Sequence, residues 1–261
     1  MNILFALLLG VLQGLTEFLP VSSSGHLMLV ENILGLKGDN LFFNVLLHFA
    51  TLIAVVIIFW KDVVDLIKHP FGKRMQTIII ATIPTIILAL VVKFCFNEFA
   101  LGGFLGFGFL ISAIVIFVTT LMQQKKSLLN IKEVSYKQAF LIGLAQGVAV
   151  LPGISRSGST ICSGLIQGVD REESAKFSFL ISIPVILGGL VFELIEGFSC
   201  GFGNIDALSS IVGFISAFVV ALFTIKFMMK VVKKGSWWYF ALYLLLLAIF
   251  VLLNQYVLCL F

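Results

Sequence analysis

Six stretches of the chain stay apolar for about twenty residues each, the length a helix needs to cross ~30 Å of hydrocarbon. They run from Leu41 to Trp60, Met75 to Phe96, Leu101 to Leu121, Ala175 to Phe192, Leu208 to Met229 and Trp237 to Leu260. Of the 261 residues 60% are hydrophobic and 11% charged, where a soluble domain carries about 45–50% and 25%. The chain is therefore read as an all-α polytopic membrane protein. Its net charge of +4 is scattered over short stretches between apolar runs, not gathered on one face, which excludes nucleic acid as a partner and leaves membrane lipids. Cys95, Cys162, Cys200 and Cys259 form no CxxC pair and have no neighbouring His, so they read as apolar filler.

Two further apolar regions, 1–35 and 138–169, are broken near their middles by Pro, Gly and Ser. The first lacks a basic stretch before Lys37 and does not read as a signal peptide. Lys and Arg collect on the cytoplasmic side of short loops. Here 14 of the 17 fall on the links 61–74, 123–137, 170–176 and 226–234, the exceptions being Lys37, Lys93 and Arg156. Those links are assigned to the inside, and 97–100 and 197–206, which carry neither Lys nor Arg, to the outside. Region 138–169 then starts and ends inside. Its first arm, Ala139 to Leu151, would span only about 20 Å, so it reads as a re-entrant hairpin. By the same parity, residues 1–35 begin and end outside. The expected architecture is six full transmembrane helices plus two re-entrant helical hairpins.

Shifting the sequence by 133 residues superimposes the two broken regions without a gap. Ala6, Leu8, Gly10, Gln13, Gly14, Ser22, Ser24 and Gly25 fall on Ala139, Leu141, Gly143, Gln146, Gly147, Ser155, Ser157 and Gly158. An odd number of spans between the copies inverts one against the other. The chain is thus expected to be a single membrane domain, 1–261, with inverted-topology halves of roughly 1–122 and 138–261 joined by a cytoplasmic loop at 123–137. Irregular backbone at membrane depth needs cover from protein or water, so the two tips should face each other, as in transporters built from inverted repeats.

The second tip reads Pro152-Gly153-Ile154-Ser155-Arg156-Ser157-Gly158-Ser159-Thr160. Gly and Ser ahead of a helical run offer free N–H groups and hydroxyls to an anion, and Arg156 adds a fork of donors matched to phosphate oxygens. The serines alone would also serve as helix caps. An Arg at depth is costly unless paired, which points to a phosphate site. The first tip carries Gln13, Glu17, Ser22, Ser23, Ser24 and His26. A carboxylate and an imidazole beside hydroxyls are the parts that activate a nucleophile: His to move a proton, Glu to orient it or hold a divalent cation, Ser to attack. Gln13 and Glu17, four apart, share a helical face. His48 borders the same cavity or bonds a neighbouring helix; Glu193 and Glu196 stand at a span end and read as interfacial. Pro84 and Pro184 read as helix kinks.

Gln13 to Glu17 matches an (E/Q)xxxE element, the run through Ser23 and His26 completes a first motif, and Pro152 to Thr160 matches PGxSRSxxT. With its span pattern, the whole chain resembles the bacterial undecaprenyl-diphosphate phosphatases, also known as bacitracin-resistance proteins. The resemblance implies hydrolysis of C55 undecaprenyl diphosphate, a polyprenyl diphosphate lipid, to the monophosphate and inorganic phosphate. That reaction recycles the lipid carrier of peptidoglycan synthesis at the bacterial cytoplasmic membrane, with the site facing the extracytoplasmic side. By position Ser23 resembles the nucleophile, His26 its partner base or acid and Glu17 the essential carboxylate and metal ligand, with Gln13 where other members have Glu. Ser155, Arg156, Ser157 and Thr160 resemble the phosphate-binding set, Arg156 with a catalytic role, and Gln13, Ser22 and Ser24 are expected to bind substrate beside them. A divalent cation, Mg or Ca, is implied by the family alone. A transporter or a lipid-carrier flippase on the same scaffold is the rival reading, and a homodimer is among the assemblies left open.

Overall fold

The computed structural model describes residues 2–36, 41–95, 103–125, 131–200, 206–235 and 237–258. Lys37, Lys126, Cys259, the link 97–100 and residues 201–205 of the link 197–206 lie outside the described residues. Among the described residues eleven α-helices follow in order: α1 Ile3–Thr16, α2 Ser23–Ile33, α3 Leu41–Ile58, α4 Trp60–Lys68, α5 Lys73–Cys95, α6 Leu105–Lys125, α7 Tyr136–Val148, α8 Arg156–Ile166, α9 Arg171–Cys200, α10 Ala207–Lys234 and α11 Trp238–Leu253. A π turn, Asn254–Leu258, extends α11. Among the described residues no strand forms, and one isolated bridge joins Ile131 to Val169. The all-α class expected from composition is what the chain adopts.

Five helices, α5, α6, α9, α10 and α11 with its π turn, are long and apolar enough to cross a membrane, and α3 with α4 makes a sixth candidate bent by 81°. The apolar run at 41–60 is thus followed by a short amphipathic helix where the sequence suggested a loop. Trp60, Lys61 and Asp62 sit just past the bend at Phe59, a pattern suited to an interfacial helix. Large apolar side chains such as Ile83, Ile114, Val191 and Phe223 point outward, whereas Gln13, Glu17, Thr51, Thr85, Gln146 and Thr160 are buried. The apolar surface faces lipid and the polar groups are held inside, where each must find a partner.

The arms of both hairpins are short: α1 has 14 residues and α7 has 13, about 20 Å each at 1.5 Å per residue. Gln138 at the start of α7 donates to the Gln167 carbonyl at the end of α8 (3.3 Å), and the Asp170 N–H donates to the Ile131 carbonyl (2.9 Å). The segment 136–168 therefore enters and leaves at one end of the molecule. That end also carries the Lys-rich links. Asp62 pairs with Arg74 (3.3 Å) and Lys176 (2.6 Å), Lys73 with Glu133 (2.6 Å), and Lys233 with Glu172 (2.9 Å).

Helix boundaries repeat at the 133-residue offset: α2 and α8 are both 11 residues long and start at 23 and 156. Packing repeats with them. A Cβ on Gly10 would lie 2.4 Å from the Gly213 carbonyl oxygen of α10, and one on Gly14 2.6 Å from that of Ala217. At the matching positions, a Cβ on Gly143 would lie 2.1 Å from the Ala81 carbonyl oxygen of α5 and one on Gly147 2.7 Å from Leu88. Both first arms are thus small-xxx-small faces that bring two backbones into direct contact. In this way α1 docks on α10 and α7 on α5, which carries the two tips into the interior.

Candidate active site

Glu17, in the turn that ends α1, is the hub. Its side chain is fully buried. Oε2 accepts from Gln13 Nε2 (3.0 Å) and from Ser23 Oγ (2.5 Å), while Oε1 accepts from the Arg156 guanidinium. One carboxylate therefore joins the first tip to the second. The Ser157 hydroxyl adds a further bond between them, donating to the Leu19 carbonyl (2.8 Å).

Each tip ends in a serine-capped helix. Ser22 accepts from the Gly25 N–H (3.4 Å) at the start of α2, and Ser155 from the Gly158 N–H (3.0 Å) at the start of α8. Ser23 and Arg156 are the first residues of these helices, so both stand at a helix N-terminus, where unpaired amides and the helix dipole favour an anion. The caps differ in backbone. Ser155 has an ordinary φ of −73°. Ser22 has φ 69°, the one positive φ at a non-glycine position among the described residues, a conformation that costs about 1–3 kcal/mol unless its surroundings enforce it. The second tip is fixed by α6: Ser112 donates to the Gly153 carbonyl (3.1 Å) and accepts from the Ser155 N–H (2.8 Å).

Between the tips lies a cavity of about 200 Å³, smaller than the roughly 300–1,000 Å³ of pockets that engulf a drug-sized ligand. It is headgroup-sized. Thr16, Glu17, Ser22, Ser23, Ser24 and His48 line it from one side, and Gln146, Ser155, Arg156 and Ser157 from the other. Apolar Val185, Ile186 and Leu190 of α9 close the wall, with Glu193 at its end. These lie in the half of α9 remote from the Lys-rich end.

The chain matches the family model described as bacitracin resistance protein BacA over residues 6–250. It belongs to the BacA family. A relative in Carboxydothermus hydrogenoformans named undecaprenyl-diphosphatase is 42% identical over 259 residues, covering 98% of each chain. One of the same name in Halothermothrix orenii is 41% identical over 256 residues, 97% of this chain and 98% of the relative. An undecaprenyl-diphosphatase 4 of Bacillus cereus is 38% identical over 257 residues, 98% of each.

In this BacA-family chain Glu17, Ser22, Ser23, Ser24, Ser155, Arg156 and Ser157 all line one cavity. Gln13 lies fully buried behind Glu17. Thr160 is placed elsewhere: its hydroxyl bonds the Arg156 carbonyl (2.9 Å) and meets Ser178 Oγ (2.5 Å), so it ties α8 to α9 rather than facing the cavity.

His26 is also turned away. Its Nδ1 bonds the Ser22 carbonyl (2.8 Å) and its Nε2 meets the Tyr243 hydroxyl (2.7 Å), leaving neither nitrogen on Ser23. The imidazole that does line the cavity is His48, with Nδ1 on the Asn44 carbonyl (2.8 Å) and Nε2 4.0 Å from Glu17 Oε2. With Nδ1 on that carbonyl, Nε2 is the nitrogen turned toward the carboxylate.

Among the described residues no group of three or more His, Cys, Asp or Glu stands ready to hold a metal ion. Both oxygens of Glu17 already meet donors. Such a site does not form a protein cage. An ion of the Mg type is characteristically held by one or two carboxylates plus substrate phosphates, and Glu17 would be the carboxylate here.

Four contributors escaped sequence reasoning: the α9 wall with Glu193, Ser112 under the second tip, Tyr243 against His26, and the role of Gln146, whose amide donates to Thr85 (3.1 Å) while its repeat partner Gln13 serves Glu17. Only Gln146 had a signal in the sequence, through its alignment with Gln13.

Proposed function

We propose that this protein is an undecaprenyl-diphosphate phosphatase, hydrolysing the C55 lipid diphosphate to undecaprenyl phosphate and inorganic phosphate and so returning the carrier to cell-wall synthesis. One observation carries the reading: a hydroxyl on a carboxylate, a guanidinium and two helix N-termini share a single headgroup-sized cavity in a membrane protein. The relatives' name supplies the substrate.

Ser23 Oγ attacks the terminal phosphorus in line, and Glu17, already the acceptor of its hydroxyl, takes the proton. The bond from that phosphorus to the bridging oxygen breaks, and undecaprenyl phosphate leaves with the electron pair. Arg156 transfers from Glu17 to the phosphate oxygens, which frees the carboxylate for the proton and sets the fork against the charge spread over the equatorial oxygens. The amides at the starts of α2 and α8 point at the same charge. Water then attacks the phosphoserine, inorganic phosphate departs, and Glu17 returns the proton to Ser23. Glu17 would hold a divalent cation such as Mg or Ca, which when bound would supply positive charge to neutralise the headgroup.

The protein is multi-pass. We place it in the bacterial cytoplasmic membrane as two inverted halves with six spans and two re-entrant hairpins, the halves dividing at 123–137. The register of helices at 133 residues supports this arrangement. The cavity lies toward the half of α9 away from the Lys-rich end, which supports an extracytoplasmic opening under the positive-inside rule. The isoprenoid tail would run along the Phe- and Leu-rich outer surface. Phosphate release by purified Ser23→Ala and Arg156→Ala tests the reading: losses of about a hundredfold or more are expected for each, and near-native rates in both would overturn it.

A further inference from the structure

Of the two capped tips, one holds a strained serine and an imidazole and the other holds neither. At the 133-residue offset His26 corresponds to Ser159 and the strained Ser22 to the relaxed Ser155. The ring is where the strain is. Its Nδ1 donates to the Ser22 carbonyl (2.8 Å), the same oxygen that accepts the His26 N–H (3.2 Å) as the first bond of α2. Because Nδ1 faces a carbonyl it carries the proton, and the Nε2 lone pair accepts from the Tyr243 hydroxyl (2.7 Å). The Tyr243 ring lies nearly parallel to the imidazole (13° between planes, centroids 5.7 Å apart), and Phe109 meets it edge-on at 5.4 Å. His26 is 5% exposed.

We infer that Tyr243, acting through His26, is a positioning residue for the nucleophile: the pair holds the Ser22 carbonyl turned, and this aims the Ser23 hydroxyl at Glu17. The inference rests on Ser23 being the nucleophile. It assigns His26 to the backbone of the elbow and not to proton transfer, since both ring nitrogens are engaged away from the reacting hydroxyl. Tyr243 reaches this role across the molecule, from α11 onto the first turn of α2.

The experiment is the pH profile of kcat and KM for phosphate release from undecaprenyl diphosphate by the full-length protein in detergent. It compares Tyr243→Phe, His26→Asn, His26→Ala and Ser23→Ala, with thermal unfolding recorded for each. The Asn amide places a donor where Nδ1 stood but does not titrate. Tyr243→Phe is expected to lower kcat about threefold to tenfold, the loss of one neutral hydrogen bond, with KM and the position of the pH profile unchanged. His26→Asn should keep at least ten times the kcat of His26→Ala with an unmoved profile. If His26→Asn is as inactive as His26→Ala, or if either Tyr243→Phe or His26→Asn removes or shifts a limb of the profile, the imidazole transfers protons and the inference fails. Ser23→Ala separates the two levels: inactivity there leaves the nucleophile standing when the positioning role fails, whereas full activity overturns the reading beneath both.

Discussion

Ser23 and Arg156 occupy the same place in two helices 133 residues apart, each the first residue after a serine cap, and each bonds a different oxygen of Glu17. Matching helix starts carry unlike side chains, a hydroxyl in one copy and a cation in the other. The arrangement pairs a hydroxyl with a guanidinium by geometry alone, because whatever brings the two N-termini together brings these two groups together. An anionic headgroup entering between them meets both at once.

Arg156→Lys separates charge from shape. Lysine keeps the cation but loses the planar fork, so kcat/KM for phosphate release should fall at least tenfold while the protein remains folded. Equal activity in the two would show that a point charge suffices.

Glu17→Gln removes the negative charge and leaves the guanidinium without a counter-ion in a site where it is only 20% exposed. Loss of one partner of a buried pair costs about 3 kcal/mol or more. Thermal unfolding in detergent should drop accordingly, and activity should be lost. Glu17→Gln combined with Arg156→Gln should recover most of the stability and none of the activity. A single variant as stable as the parent would contradict the pairing.

Gly143→Ala should destabilise by about 1–3 kcal/mol, an overpacking cost, because its Cβ would sit 2.1 Å from the Ala81 carbonyl oxygen. Gly188→Ala is the control, with nothing within 4 Å of its Cβ, and should change stability by less than about 0.5 kcal/mol. Unfolding midpoints of the two report on α7–α5 packing directly.

Gly189 lines the cavity and has open space before it. A leucine there would occupy the headgroup volume, so Gly189→Leu should cut kcat/KM about tenfold, equivalent to ~1.4 kcal/mol, chiefly through KM. Unchanged kinetics would place the headgroup elsewhere.

Much of this was readable from residue order. Apolar length marks each span, and Pro, Gly and Ser mark each tip. The rarity of ionisable groups at depth singles out Glu17, Arg156 and the histidines. Direction was harder to read. Hydropathy sums residues along a helix and is blind to the 81° turn at Phe59, where an amphipathic segment lies down instead of continuing. It is equally blind to rotation about a helix axis, which sends His26 to Tyr243, 217 residues away, and Thr160 to Ser178. Packing of this kind joins segments far apart in the chain, as where Gly10 and Gly14 let α1 touch α10. Glu193 looked interfacial because it lies late in its span, yet the tips reach far enough for α9 to wall the cavity.

The most direct measurement is a structure of the protein holding a non-hydrolysable polyprenyl diphosphate analogue. The terminal phosphate should rest between the starts of α2 and α8, with the Arg156 fork on its oxygens and Ser23 Oγ facing phosphorus opposite the bridging oxygen. A phosphate bound outside this cavity, or one bound while Arg156 stays on Glu17 without touching it, would contradict the account.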